Sequence, residues 1–371
     1  MTRHIYVHVP FCARRCSYCD FAIAIRREVP VGEYLRALDA ELTTRFGSDG
    51  NASVDTIYFG GGTPSLLGGA GVARAVEAVQ RRFPAADGAE ITIEANPDDV
   101  TPESVAAWQA AGVNRLSLGA QSFDDLALSW MNRSHDSSVI GQAVRAARDG
   151  GITNLSLDLI FALPSALQRD FRRDVEHLIA FQPDHVSLYG LTVEPGTALG
   201  KSVASGVTVE QPEEGYESDF LMAHSLLTAA GLEHYEVSNY GRPGRQARHN
   251  SAYWSGASYV GLGPSAHGFN GTVRRWNLRG YSHWADAALG GADPIDGSET
   301  LSVSNRADEA VYLGLRSDAG LPVMEPDVPL LRTWEAAGWV TIGADGRVRC
   351  TVEGWLRLDS LAAALTHHRS R

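Results

Sequence analysis

The sequence LSLDLIFAL at residues 155–163 is apolar along nearly its whole length. Such a run is typical of a strand in a parallel sheet that helices cover on both faces. Outward from it, apolar and β-branched runs alternate with helical patterns through the first two thirds of the chain. We therefore expect an α/β fold, a partial (β/α)6 barrel, with strands over residues 5–11, 54–60, 90–95, 115–120, 155–163 and 185–191.

Cap residues mark the ends of several predicted helices. Thr101 and Pro102 are typical of the cap and the first position of a helix, and Gly112 is typical of its end. Gly150 and Gly151 similarly end the helix before the fifth strand. Because the ligands of such sheets gather at the carboxyl ends of the strands, we expect the functional residues there.

The last part of the chain changes in character and predicts a small α+β domain of winged-helix-like type. The elements predicted in the second half are a helix over 211–232, a strand over 235–240, a helix over 305–315 capped by Asn305, a helix over 330–337, a hairpin over 339–350 and a helix over 354–365. The predicted domains are the barrel (1–240), a connecting region rich in Gly, His, Tyr and Trp (241–294) and the C-terminal domain (295–371).

Composition excludes several classes of protein. The 371 residues are 44% hydrophobic and 20% charged, which is the mixture of a folded globular protein and not of a disordered one. The net charge of −12 argues against nucleic acid as a partner. Residues 1–10 contain no long apolar region and no run approaches about 18 apolar residues, so a cytoplasmic location is expected, with peripheral contact at a membrane left open.

Three of the four cysteines, Cys12, Cys16 and Cys19, lie within eight residues of one another after the first predicted strand. This tight cluster indicates a metal or redox centre and not a disulfide framework. Three thiolates are too few for a closed zinc site, but they suit a [4Fe-4S] cluster with one iron left for another ligand. The alternative is a Cys3His zinc site completed by His8 or by a distant histidine.

Further candidates follow later strands. Gly60, Gly61 and Gly62 would let the backbone approach a ligand closely, although a structural turn is an equally good interpretation of such a run taken alone. Glu94, Gln121 and Asp158 lie in or at the end of apolar strands, where a buried polar group needs a partner. A hydrogen bond or ion pair within the core would be the alternative explanation.

The stretch CARRCSYC at residues 12–19 resembles the signature of the radical S-adenosylmethionine (SAM) superfamily. The resemblance implies that the three cysteines bind a [4Fe-4S] cluster and that SAM chelates its unique iron. The chain is most similar to one branch, the oxygen-independent coproporphyrinogen III oxidase group with its HemW-type haem chaperones, over nearly its whole length. This resemblance implies that SAM is bound by Tyr6, Tyr18, Gly60, Gly61, Gly62, Thr63, Glu94, Gln121, Arg133, Asp158 and Thr192.

Two features separate the chain from the oxidases of that group. Phe21 stands where the oxidase has a fourth cysteine, and the longer arm that precedes the oxidase cluster is missing. Residues 249–254 resemble the HNxxYW motif of the chaperones, which implies His249, Tyr253 and Trp254 as candidates for binding haem. His267 is a substitute for His249 as the iron ligand. The alternative is that His249 forms hydrogen bonds in the core and that the two aromatic residues pack around it.

The resemblance implies a haem chaperone that carries haem b to respiratory-chain haem proteins and also holds a [4Fe-4S] cluster and SAM. A bacterioferritin-type donor and a homodimer are further partners that it suggests. One alternative function is an oxygen-independent coproporphyrinogen III oxidase. Another is a radical SAM methyltransferase or haem-degrading enzyme.

Overall fold

The computed structural model describes residues 2–47 and 52–370. Its strands are β1 (His4–Val9), β2 (Phe11–Cys12), β3 (Ala24–Ile25), β4 (Val54–Gly61), β5 (Ala85–Ala95), β6 (Arg115–Gln121), β7 (Asn154–Phe161), β8 (His185–Gly190), β9 (Glu233–Glu236), β10 (Asn239–Gly241), β11 (Tyr259–Leu262), β12 (His267–Phe269), β13 (Val273–Asn277), β14 (Ile295–Thr300), β15 (Leu321–Pro322), β16 (Val340–Ile342) and β17 (Arg347–Cys350).

The α-helices are α1 (Val31–Phe46), α2 (Gly68–Arg82), α3 (Pro102–Ala110), α4 (Asp125–Trp130), α5 (Ser137–Asp149), α6 (Phe171–Ala180), α7 (Ala198–Ala204), α8 (Glu213–Ala229), α9 (Arg248–Trp254), α10 (Tyr281–Leu289), α11 (Val303–Arg316), α12 (Val328–Ala336), α13 (Val352–Trp355) and α14 (Leu358–Arg369). Within the described residues, no helix has both the length and the apolar character needed to cross a bilayer.

The centre of the fold is a run of six parallel strands in the order β1-β4-β5-β6-β7-β8. These are the six strands that the sequence predicts, so the expected α/β architecture is confirmed. Leu155, Leu157 and Leu159 of β7 are all buried, as a strand covered on both faces requires. The parallel arrangement brings the carboxyl ends of all six strands to one edge of the sheet.

Antiparallel strands extend the sheet beyond this parallel centre. On one side β11 pairs in parallel with β1, and β12, β13 and β14 follow in antiparallel order. On the other side, the single strand expected over 235–240 is wrong, because β9 and β10 form an antiparallel pair there. Glu236 supports the tight turn between them, since its carboxylate accepts hydrogen bonds from the Ser238 N–H and the Asn239 side chain.

One buried carboxylate fastens the β11–β13 extension to the barrel. Glu41 of α1 is 0% exposed and forms an ion pair with Arg45 at 2.6 Å. It also accepts hydrogen bonds from the Gly263 N–H (2.8 Å), the Asn277 amide (2.6 Å) and the Trp284 indole (2.9 Å). A carboxylate bonded this completely is stable in the core, because every lone pair that burial removes from water gains a donor.

The helix cap predicted at Thr101 is present in the structure, and the one predicted at Asn305 is not. Thr101 caps α3 through a reciprocal pair of hydrogen bonds with Ser104, as the sequence indicates for that helix start. In the C-terminal region, the prediction of Asn305 as a cap is wrong. Ser302 caps α11, and Asn305 supplies the returning side chain of the capping box one turn later.

The C-terminal region contains helices α11 to α14 and the three-stranded sheet β15-β17-β16. Its hairpin pairs Val340 with Cys350, as expected, and turns at Gly346 with a φ of 72°. The last predicted helix is interrupted, because α13 ends at Trp355 before α14 begins. β14, from the predicted third domain, belongs to the large sheet, and the division into three domains stays a prediction.

Candidate functional site

A cavity of about 450 Å³ opens at the carboxyl ends of the parallel strands. The predicted site residues that line it are Cys12, Cys16, Tyr18, Cys19, Gly61, Gly62, Thr63, Glu94, Gln121, Arg133, Asp158 and Thr192. The predicted residues outside its wall are Tyr6, Gly60, His249, Tyr253 and Trp254. Most of the candidates therefore meet in one place, although they are spread over 180 residues of sequence.

The three thiols lie on the loop between β2 and β3. Cys12 ends β2, and its Sγ lies 3.5 Å from the Thr63 hydroxyl. The Arg133 guanidinium points its Nη1 at Cys16 Sγ, also at 3.5 Å. Burial raises the pKa of Cys12 to about 11, and the nearby Cys19 and Cys16 thiols add to that shift. The thiols therefore share one electrostatic environment, in which a bound cationic centre would stabilise their ionised form.

Two glycines at the end of β4 let this strand approach the cysteine loop. Gly61 has a φ of +113°, and a Cβ there would lie 2.5 Å from His8 Cε1. A Cβ at Gly62 would lie 2.7 Å from the carbonyl oxygen of Phe11. Both positions require glycine for steric reasons, so the run serves the close approach that its sequence indicates.

Glu94 occupies the end of β5, next to these glycines. Its carboxylate accepts hydrogen bonds from the Tyr58 hydroxyl at 2.7 Å and from the Gly61 N–H at 3.2 Å. Burial raises the pKa of Glu94 to about 7, and the charge of Asp158 adds to this, while the hydrogen bonds oppose it. Glu94 can therefore take up or release a proton near neutral pH.

Asp158 projects from β7 among hydroxyl groups. The Ser117 hydroxyl donates to Oδ1 at 3.1 Å, and the Ser156 hydroxyl donates to the same oxygen at 3.3 Å. Burial raises the pKa of this carboxyl, opposed by these serines, by Ser187 and by the Arg115 guanidinium. The carboxylate is thus held in place by its neighbours while one side faces the cavity.

Arg115 is a cavity residue that the sequence analysis missed. It begins β6 and is 1% exposed, yet its Nε and Nη1 have no hydrogen-bond partner within the described residues. A charged group in this position needs an anion or a polar ligand. The signal was present, since an arginine opens the otherwise apolar run at 115–120.

Gln121 and Arg133 meet at the end of β6. Gln121 lines the cavity. Its backbone has a φ of 67°, in the left-handed region that residues other than glycine rarely adopt. Arg133 is held by its Nη2, which donates to Asn96 Oδ1 at 2.6 Å and to the Gly119 carbonyl at 3.0 Å. A strained backbone and a fixed guanidinium are features of a preorganised binding site.

Tyr6 and Gly60 lie one layer behind the wall. The Tyr6 ring stacks on the ring of Tyr58, which lines the cavity, with centroids 6.2 Å apart. Its hydroxyl and His8 Nδ1 form a hydrogen bond of 3.2 Å. At Gly60 a Cβ would lie 2.9 Å from Tyr58 Cε1, so this glycine makes room for the tyrosine ring. Both residues position Tyr58.

His249 lies in the core, with both ring nitrogens in hydrogen bonds. It is 1% exposed, its Nδ1 lies 2.7 Å from the Thr56 hydroxyl, and its Nε2 lies 2.8 Å from the Tyr253 hydroxyl. Burial lowers the pKa of His249 to about 3, so the ring is neutral. Neither nitrogen is free to bind iron, so the structure favours the packing role over iron ligation for His249.

The other residues of the HNxxYW stretch connect parts of the fold. Tyr253 packs edge-on against Tyr259, with centroids 4.7 Å apart, and the Arg316 guanidinium lies 4.3 Å from the centroid of a Trp254 ring. Of this stretch, Asn250 alone lines the cavity at the carboxyl ends of the strands, and the sequence did not indicate this role for it. The stretch therefore joins β11 and α11 to the wall of the site.

Comparison with known proteins assigns the family. The family model of the radical SAM superfamily matches residues 6–178. Over 322 residues the chain is 38% identical to the heme chaperone HemW of Mycobacterium tuberculosis, covering 86% of this chain and 83% of that protein. The chain belongs to the HemW family of radical SAM proteins. It is also 33% identical to the HemW protein of Bacillus subtilis over 317 residues, covering 85% of this chain and 84% of that one.

The solved structure of coproporphyrinogen III oxidase (HemN) from Escherichia coli has the same fold. It superimposes on 98% of this chain and 89% of its own with a TM-score of 0.83, at 22% sequence identity. The HemW family chain therefore has the radical SAM architecture from its first strand to its C-terminal region. Membership of this superfamily implies a [4Fe-4S] cluster and SAM as cofactors.

Proposed function

We propose that the chain is a haem carrier that binds haem b, holds a [4Fe-4S] cluster and SAM, and transfers its haem to other proteins. The observation that carries this proposal is the 38% identity, over 86% of the chain, to a protein named as a heme chaperone. The cavity at the carboxyl ends of the strands supports the cofactor part of the proposal.

Cys12, Cys16 and Cys19 are the proposed cluster ligands, and the chemistry of the site fits them to that role. All three thiols line one cavity, and the guanidinium of Arg133 lies beside one of them, where it offsets negative charge. A [4Fe-4S] cluster held by three thiolates supplies one iron with an open coordination position and an electron for transfer. The loop is held by the Asn132 amide, which donates to the Arg15 carbonyl, and by the Ser17 N–H, which donates to the Met131 carbonyl.

Glu94 and the glycines beside it are the proposed contacts of the SAM methionine group. Among the described residues the Glu94 carboxylate accepts two hydrogen bonds, which leaves lone pairs for an ammonium group, and Gly61 and Gly62 leave space along the backbone. The cavity volume of about 450 Å³ suits a ligand of this size. The remaining proposed SAM contacts are Tyr6, Tyr18, Gly60, Thr63, Gln121, Arg133, Asp158 and Thr192.

The chain is proposed to act without decarboxylating porphyrinogen. Phe21, at the position of the fourth cysteine in the oxidases, lines the cavity and is 62% exposed. We further propose respiratory-chain haem proteins as the acceptors, a bacterioferritin-type protein as the donor, a homodimer as the assembly, and action in the cytoplasm with peripheral contact at the membrane.

An anaerobic assay that follows haem and porphyrin together tests this function. The reconstituted, reduced protein is incubated with SAM and coproporphyrinogen III in one reaction. In a second reaction, the haem-loaded protein is incubated with an apo-cytochrome b. We expect haem to appear on the acceptor and no protoporphyrinogen to form. Multiple turnovers to protoporphyrinogen would reject the carrier function in favour of the oxidase, and a failure to bind haem would reject it outright.

A further inference from the structure

A second cavity lies on the antiparallel extension of the sheet, outside the site described above. It has a volume of about 480 Å³, is open to solvent, and is lined by residues of β12, β13 and β14 together with Ala22, Ser265 and Arg279. We call this cavity the extension groove. Its volume lies within the range of small-molecule sites in proteins.

His267 provides a free imidazole in the extension groove. Its side chain is exposed, and no hydrogen bond to either of its ring nitrogens is found in the part of the chain that the structure describes. The ring is held from one side, because it stacks on Trp276 with centroids 5.8 Å apart and an interplanar angle of 27°. An oriented imidazole with a free nitrogen is the arrangement that a haem iron requires of its protein ligand.

Trp276 has room for its indole because the residue opposite it on the next strand, Gly297, has no side chain. It pairs with Gly297 across β13 and β14, and a Cβ at Gly297 would lie 2.5 Å from Trp276 Cζ2. The indole therefore lies across the backbone of the edge strand, where it provides apolar surface beside His267. An aromatic ring that covers a glycine in this way is a stable cross-strand arrangement.

One cationic side chain at the groove, Arg279, is placed to meet a carboxylate of an anionic macrocycle. Arg274 is in ion pairs with Glu299 at 3.2 Å and with Glu309 at 2.9 Å, so its one positive charge offsets part of the negative charge of the two glutamates. Arg279 is exposed, and its Nη2 donates a long hydrogen bond of 3.4 Å to the carbonyl oxygen of Asp20. Its guanidinium is available to a carboxylate at the edge of the groove, although Asp296 also lines the groove and opposes an anion there.

The groove and the cofactor cavity lie on two sides of one short loop. Phe21 lines the cofactor cavity and Ala22 lines the extension groove. The carbonyl oxygen of Ala22 is held by His8 Nε2 at 2.9 Å, and His8 packs against Gly61 of the cofactor cavity. A ligand in the groove would therefore contact the segment that directly follows the third cysteine.

From this geometry we propose that the extension groove is the haem site and that His267 ligates the iron, with Trp276 supporting its ring and the macrocycle. The proposal deepens the carrier function proposed above and rests on it. It assigns the ligand to a histidine outside the HNxxYW stretch, whose own histidine has both nitrogens in hydrogen bonds.

The test uses the full chain with its cluster reconstituted and follows ferric haem binding by difference absorbance and electron paramagnetic resonance. We expect His267→Ala to weaken haem binding by about tenfold or more and to remove the histidine-ligation signature. His283→Ala removes another exposed histidine, on α10, and is the matched control that should leave both unchanged. His267→Tyr should replace the histidine signature with that of a phenolate ligand.

A second titration, with iron-free protoporphyrin IX, separates ligation from packing. We expect Trp276→Leu to weaken binding of the iron-free macrocycle, whereas His267→Ala leaves it nearly unchanged. If the wild-type chain binds haem and His267→Ala and His267→Tyr keep its affinity and spectrum, the groove proposal is wrong while the carrier function survives. If the wild-type chain binds no haem at all, the carrier function itself fails.

Discussion

The cofactor cavity and the extension groove hold their polar side chains in opposite ways. In the cavity Glu94, Asp158 and Arg133 are each fixed by at least two hydrogen bonds, and the strands that carry Glu94 and Asp158 are paired on both sides. In the groove, His267 is exposed and rests on a single aromatic ring, close to the edge strand β14. An enclosed, preorganised site suits a cofactor that stays, whereas an open one suits a cargo that must leave without rearrangement of the fold.

The two histidines His249 and His267 show the same contrast at the level of one residue. Both ring nitrogens of His249 form hydrogen bonds in the core, whereas neither ring nitrogen of His267 has a hydrogen-bond partner within the described residues. A histidine that belongs to a recognisable motif need not be a metal ligand. Its function depends on whether the fold leaves one of its ring nitrogens free.

The largest expected effect is the loss of the cluster from the cavity. Cys16→Ser should remove nearly all bound iron and sulfide, because two thiolates are too few to hold a [4Fe-4S] centre. Cys350→Ala, a buried cysteine of the C-terminal sheet, is the control that should keep a full complement. Analysis of iron and sulfide after anaerobic reconstitution measures both. Full iron in Cys16→Ser, or zinc in place of iron in the wild type, would contradict the ligand set.

Next in size is the difference in stability between the two histidine variants. His249→Ala should lower the free energy of unfolding by about 2–4 kcal/mol, because it leaves a cavity and takes a partner from Thr56 and Tyr253. His267→Ala should change it by less than about 0.5 kcal/mol, since the side chain is exposed. Urea unfolding of both variants tests this. A His249→Ala protein of normal stability that has lost its haem spectrum would support iron ligation by His249 instead.

The third prediction concerns the glycine that brings β4 against the cysteine loop. Gly61→Ala should cost about 1–3 kcal/mol and weaken SAM binding, because the new Cβ would overlap the His8 ring at a positive φ. Gly291→Ala shares the backbone strain, with a φ of 79°, but meets no atom within 4 Å. Isothermal titration with SAM should therefore detect a loss in the first variant only. Equal losses in both would mean that the close contact with His8 is unimportant.

The smallest effect is a pH dependence that arises from Glu94. Its pKa of about 7 in the folded chain lies above the ordinary value of 4.5, so the folded state binds the proton more tightly than the unfolded state. The stability that this proton provides is full below about pH 4.5 and is lost as the pH rises through 7.

Glu94→Gln should therefore gain stability relative to the wild type between pH 5 and 8, by about 1–2 kcal/mol. The measurement is urea unfolding of the cofactor-free protein at several pH values, with the exposed Glu176→Gln on α6 as the control. A difference between wild type and Glu94→Gln that stays constant with pH would show that Glu94 is ionised throughout this range.

The central fold could be predicted because the sequence patterns that indicate its strands and helices each lie within a short segment. The strand from Leu155 onward and the cap at Thr101 carry their signals within a few residues, so the parallel strands and one helix start follow from the sequence. The pairing of β11 with β1 could not be predicted in the same way, because it depends on contacts over 250 residues apart. The single strand expected over 235–240 failed because the Glu236 carboxylate stabilises a turn that the apolar pattern does not show.

The candidate site was predictable where a residue type is itself unusual, as with the three cysteines and the glycines before Thr63. The site was less predictable where the function of a residue depends on the direction in which its side chain points. Asn250, and not His249, faces the cavity, and the periodicity of a seven-residue helix does not distinguish the two. The left-handed backbone at Gln121 likewise has no signature in the sequence, since it arises at an irregularity in the β6–β7 pairing.

Glu41 has a consequence for how the two regions can evolve and be engineered. Because this one acid joins a barrel helix to two separate points of the extension, neither region can shift without breaking bonds that water cannot replace. If β11 to β14 were grafted onto another scaffold, they would thus lose their hydrogen bonds to Glu41. Release by a hinge between the two regions would first have to break these hydrogen bonds. For the proposed haem site, exit over the open rim of the groove is the route that leaves them intact.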